Sequence, residues 1–155
     1  MATSTRMGAT TASDEGRKAR RKARLLAVVS ATVAALIVWV VAELAVGIDL
    51  RTPAFGSWSS FDVNAAVVIV TAAAAGLLAW GLLALLERMT ARARAVWTAI
   101  AVVVFVLSLG QPMSGSGITS ANRLWLALMH VAVAVVLVPL LGRTASNRAR
   151  QPVQA

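Results

Sequence analysis

Residues 17–46 read RKARRKARLLAVVSATVAALIVWVVAELAV, six basic side chains in eight positions followed by 22 residues whose only charge is Glu43. At about 1.5 Å rise per residue, a helix of roughly 20 residues crosses a hydrocarbon layer roughly 30 Å thick, and there a helix satisfies its own backbone. The stretch reads as a membrane span behind a charged anchor. A secretory signal has the same order of charge and apolar residues, but its apolar part usually runs about 7–15 residues, so an uncleaved first span is the better reading.

Three more apolar runs follow, over residues 63–86, 95–110 and 124–141, each set off by charged or Gly/Pro-containing breaks. With 59% hydrophobic residues and a mean hydropathy of +0.77, the 155-residue chain is too apolar for a water-soluble domain. The predicted fold class is all-α, a polytopic bundle of four transmembrane helices occupying residues 25–142. Residues 1–24 and 143–155 read as disordered tails, too polar to offset chain entropy by burial. No length remains for an extramembrane domain.

Basic residues set the orientation. Arg6, Arg17, Lys18, Arg20, Arg21, Lys22 and Arg24 precede the first span; Arg88, Arg92 and Arg94 lie between the second and third; Arg143, Arg148 and Arg150 follow the fourth. Only Arg51 and Arg123 fall in the other two connections, so 13 of 15 basic residues share one side. The positive-inside rule places that side, with both termini, in the cytoplasm, and the plasma membrane is the expected location. Trp97 marks the inner boundary and Phe55, Trp58, Phe61 and Trp125 the outer one, whereas Trp39 and Trp80 fall deeper, between helices.

The run Arg17, Lys18, Arg20, Arg21, Lys22 and Arg24 abuts a span, which favours anionic lipid headgroups over nucleic acid as its partner, at about 1 kcal/mol per basic residue near such a surface. No nucleic-acid partner is expected from the net charge of +9. The outer connections carry Pro53, Gly56, Pro112, Gly115 and Gly117, residues that end helices. Asp62 and Ser120 suit the N-caps of spans two and four. In span two, Ala72 with Gly76 and Ala75 with Ala79 give small-xxx-small spacing, read as packing within the bundle, with a homodimer face as the alternative.

Glu43 lies about one turn from the outer end of span one, and His130 roughly two turns into span four from the same side. Asn64, Gln111 and Arg123 occupy the outer ends of other helices. An ionisable group near the bilayer centre costs about 2.5–3.5 kcal/mol on insertion scales and usually turns toward a partner. Glu43, Asn64, Gln111, Arg123 and His130 are therefore the candidate intramembrane polar cluster, read as structural glue, as a titratable site, or as charges reaching the interface.

Catalytic chemistry has little basis. The chain has no Cys, one His, no HExxH helix, no GxSxG and no phosphate-cradling loop, so neither a catalytic nor a metal-ligating set is assigned and no cofactor is expected. Gly115-Ser116-Gly117 reads as turn chemistry.

The segment Gly110-Gln111-Pro112-Met113-Ser114-Gly115, then Leu128-Met129-His130 and Val138-Pro139, with Glu43 in the first span, resembles a family of small four-span membrane proteins of unknown function from high-GC Gram-positive bacteria. The resemblance covers about residues 25–142. It implies the same topology and brings no activity, substrate or site residues with it. Two function classes follow. One is a non-enzymatic membrane protein that packs with itself or a membrane-protein partner as an accessory subunit. The alternative is a small oligomeric transporter or channel with Glu43 and His130 as a titratable pair.

Overall fold

The computed structural model describes residues 3–54, 59–114 and 116–146, excepting the side chains of residues 3–13. Helix α1 spans Thr3–Val40 and continues into a π-helical turn, Val41–Ala45. Helices α2 (Ala65–Met89), α3 (Ala93–Ser108), the one-turn α4 (Gly110–Ser114) and α5 (Ser120–Thr144) follow. Among the described residues four helical segments are long and apolar enough to cross a membrane, and the protein is an all-α bundle of four transmembrane helices.

The packing is inverted relative to a water-soluble protein. Leu78, Leu107, Val70 and Val135 are 75%, 71%, 66% and 66% exposed, and the largest exposed apolar residues cover the outer faces of all four spans. In water such surface is penalised by about 25 cal/mol per Å2; against lipid tails it is at home.

Helix α1 is the hub, packed along both α2 and α5. Continued into the π-helical turn, its buried stripe is Arg24, Ala27, Val28, Ala31, Ala35 and Ala42, recurring at helical spacing, and four of the six are alanine. Small side chains let the neighbouring backbones approach, and Gly76 on α2 completes the contact: a Cβ there would lie 2.8 Å from Val28 Cγ1. Ala72 and Gly76 are buried, so this pair serves packing within the chain. Two apolar clusters form, one around Ala35, Leu50, Val68, Ala72 and Met129 near the outer connections, the other around Val28, Leu83, Trp97, Leu137 and Leu141 near the basic end.

Helix boundaries depart from expectation in informative places. The tail read as disordered to residue 24 instead continues α1 back to Thr3. Ala, Arg, Lys and Glu are strong helix formers, and extending an anchored helix avoids the nucleation cost. At the other terminus α5 runs to Thr144, and Ala145 and Ser146 pack beneath the bundle; the remainder of the predicted tail, 147–155, lies outside the described residues. Asn64 caps α2, its Oδ1 accepting from Val67 N at 3.0 Å, and Thr119 caps α5 by accepting from Asn122 N at 3.2 Å. The expected caps are displaced: Asp62 pairs with Arg51 at 2.7 Å, and Ser120 is already helical. Span three is broken at Leu109. Helix α4 restarts beyond it with Pro112 in its first turn, where a missing N–H leaves no bond unmade.

Trp97 is 2% exposed and lies against Gly142 of α5, a core position where an interfacial one was expected. Trp39 fits its expected place between helices and donates its indole N–H to Val63 O at 2.6 Å. Phe61 is exposed and Trp125 packs against the apolar cluster near the outer connections; Phe55 and Trp58 fall outside the described residues.

Candidate functional site

At the loop end the two longer connections are stitched together. Ala54 and Ser116 exchange both backbone hydrogen bonds, at 3.1 and 3.2 Å. Thr52 N donates to Phe61 O and Val63 N to Leu50 O, forming a narrow turn closed by the Arg51–Asp62 ion pair. Asn122, 5% exposed, accepts from Arg51 N at 3.4 Å.

The five candidate polar residues occupy this end, and four of them engage separate partners. Glu43 sits in the π-helical turn and accepts from Leu50 N at 3.0 Å, which fixes the chain where it leaves α1 at Gly47, a residue with φ +74°. Asn64 is spent on its cap. Arg123 donates to the carbonyls of Pro112 and Met113, at 3.0 and 2.6 Å, and so anchors α4 to α5. His130 Nδ1 lies 2.7 Å from Leu126 O on its own helix, and Gln111 is exposed on α4. Glu43 and His130 each bond elsewhere than to one another.

A second polar centre lies at the basic end. Arg24, 5% exposed, donates from Nη2 to Glu87 Oε1 at 2.7 Å and from Nε to Thr144 Oγ1 at 3.0 Å. Glu87 Oε1 also accepts from Ser146 N and Ser146 Oγ, at 2.7 and 3.0 Å. One carboxylate thus ties α1, α2 and the segment after α5 together. This corrects the reading of Arg24 as a lipid contact. Arg17, Lys18, Arg20, Arg21 and Lys22 stay exposed, with Arg17 paired to Asp14.

Between α2, α3 and α5 lies an open-sided cavity of about 650 Å3, floored by Ala35 of α1 and edged by the exposed Leu78 and Val104. Thr71, Ser108 and His130 are among the polar side chains on its walls, and the small Ala75 and Ala79 give it width. Trp97 borders it, its buried Nε1 without a hydrogen-bond partner among the described residues. No group of three or more His, Asp or Glu residues able to hold a metal ion occurs among the described residues.

This architecture can be set beside known proteins. The model of a family of unknown function, DUF6069, matches residues 15–147. The chain belongs to this family. No curated protein and no solved structure matches it. The DUF6069 match takes in the four spans, the Arg24–Glu87 pair and the cavity, and the family description names no activity.

Two features of this DUF6069 member escaped the sequence reading. Glu87 carried a signal: it is the single acid in the basic connection between spans two and three. Nothing in the run Arg17–Arg24 distinguished the one arginine that turns inward, beyond its place next to the first apolar residue. The cavity had no sequence signal, since it arises from how three apolar helices fail to close.

Proposed function

We propose that this chain is a non-enzymatic integral membrane protein of the plasma membrane, an accessory or packing component, with both termini in the cytoplasm. The observation that carries the reading is how its polar groups are employed. Arg24, Glu87, Thr144 and Ser146 at one end, and Glu43, Arg51, Asn122 and Arg123 at the other, bond to the chain itself and hold helices and connections together. Orientation rests on the charge count, and the exposed residues Arg17, Lys18, Arg20, Arg21 and Lys22 suit an anionic cytoplasmic leaflet. The Ala-, Val- and Arg-rich composition suits a genome rich in G and C, and the resemblance over residues 25–142 implies a Gram-positive source. The exposed apolar face of α3, with Val102, Val103, Val106 and Leu107, is available to lipid, to a second copy or to a membrane-protein partner.

A tagged copy purified from native membranes in mild detergent tests this reading. A stoichiometric membrane-protein partner, lost when α3 is scrambled, is the expected result; a lone monomer with no associated protein overturns it. A second reading, a small oligomeric transporter with a Glu43–His130 site, draws support from the position of His130 on the cavity wall. Against it stands Glu43, whose carboxylate serves the Leu50 N–H.

A further inference from the structure

The cavity between α2, α3 and α5 has a chemistry that bundle assembly does not require. Its volume of about 650 Å3 falls within the roughly 300–1,000 Å3 usual for small-molecule sites. None of its lining residues is Asp, Glu, Lys or Arg. A charged head group would there lack a counter-charge in an apolar surround, at a cost of several kcal/mol. The wall formed by α3 from Trp97 to Ser108 is about 16 Å long at 1.5 Å rise per residue, so the space is elongated as well as apolar.

Three of the four hydrogen-bonding side chains on its walls present acceptors, and the fourth, the buried indole N–H of Trp97, is a donor at the opposite end. Thr71 donates its hydroxyl hydrogen to Val67 O at 2.7 Å, and Ser108 donates to Phe105 O at 2.7 Å. Both hydroxyls keep oxygen lone pairs and have used their hydrogens. His130 reaches the same condition by another route. Leu126 O is a carbonyl and only accepts, so the ring nitrogen 2.7 Å from it, Nδ1, carries the hydrogen. In the neutral ring Nε2 is then an acceptor, and among the described residues it has no hydrogen-bond partner. Thr71 and His130 lie about two to three turns from the loop ends of their helices and Ser108 closes α3, so the acceptors occupy one half of the cavity.

We propose that this cavity binds a neutral single-chain amphiphile whose head group donates a hydrogen bond, a long-chain alcohol being the simplest member. The hydroxyl faces the half that holds Thr71, Ser108 and His130, and the chain runs toward Trp97. Phosphatidylcholine, which has no hydrogen-bond donor, is the competing occupant that the Thr71, Ser108 and His130 half disfavours.

The test is photolabelling of the full-length protein in phosphatidylcholine nanodiscs with a diazirine-bearing dodecanol, read by peptide mapping and competed with dodecanol or dodecyl methyl ether. Labels are expected on the facing walls of α2, α3 and α5, with dodecanol competing at roughly tenfold lower concentration than the ether, the value of one net hydrogen bond. His130→Leu should erase most of that preference while leaving the label, and Ala79→Phe should fill the cavity and remove the label. Labels confined to outward residues such as Val70, Val103 and Leu107 overturn the site. Equal competition by the ether overturns the donor requirement and leaves an ordinary lipid tail as occupant. Should Ala79→Phe fail to fold, the wild-type map and its competition decide alone.

Discussion

Arg24 on α1 and Glu87 on α2 meet across 2.7 Å, and the carboxylate oxygen that receives the guanidinium also receives both donors of Ser146. Segments as far apart in the chain as Arg24 and Ser146 therefore depend on one acceptor atom. The side chains are only 6% and 13% exposed, so losing one partner strands the other away from water. Breaking a buried pair costs roughly 3–5 kcal/mol, whereas replacing both partners by apolar residues is often near neutral. Arg24→Ala and Glu87→Ala should each lower stability by about 2–4 kcal/mol, and the double Met variant should recover at least half of it. Thermal unfolding in mild detergent checks this; additive losses in the double variant would refute the pairing as the cause.

Gly76 of α2 lies hard against Val28 of α1. A Cβ at this position would stand 2.8 Å from Val28 Cγ1, and a β-branched valine in a helix has little rotamer freedom to retreat. Gly76→Ala should destabilise by about 1–3 kcal/mol, despite the better helix propensity of alanine, and Val28→Ala in the same chain should restore much of the loss. Gly81, with nothing within 4 Å of its Cβ position, is the control: Gly81→Ala should be neutral or slightly stabilising.

What the sequence made legible and what it hid divide along a physical line. Span number and approximate limits follow from runs of apolar residues, because the bilayer imposes length and composition locally. Contacts between distant segments have no such local signature. The pairing of Ala54 with Ser116, the inward turn of Arg24 and the cavity all depend on how finished helices settle on each other. Small-residue spacing shows the intermediate case. The spacing of Ala72 and Gly76 predicts a packing face and both are buried, whereas the same spacing of Ala27, Ala31 and Ala35 on α1 carries no signal in a chain where alanine is everywhere. Caps were misplaced by one or two residues, as Thr119 shows beside Ser120, because several neighbouring residues can each accept from a first-turn N–H.

Glu43 supplies a test between structural and titratable roles. Its carboxylate accepts from the N–H of Leu50, a residue 1% exposed, and so holds the turn that leads out of α1. Glu43→Ala should cost about 1–3 kcal/mol through the orphaned donor, while Glu43→Gln, which keeps an acceptor oxygen, should stay close to wild type. Combined with His130→Ala, the coupling in a double-mutant cycle should stay within about 0.5 kcal/mol. A coupling of 1 kcal/mol or more would revive a direct Glu43–His130 pair.

The basic run ahead of the first span separates into two kinds of charge, and one experiment distinguishes them. Arg17, Lys18, Arg20, Arg21 and Lys22 are exposed, whereas Arg24, in the same run, faces the bundle. If the exposed five act on anionic lipid at about 1 kcal/mol each, replacing them together with Gln should deplete co-purifying anionic lipid and leave the unfolding temperature nearly unchanged. Arg24→Gln should do the reverse, lowering the unfolding temperature while the co-purified lipid stays as in wild type. Mass spectrometry of extracted lipid, run beside thermal unfolding on the same preparations, gives both readouts. Equal lipid loss in the two variants would mean that Arg24 spends time at the membrane surface, and that its bond to Glu87 is one of two resting places.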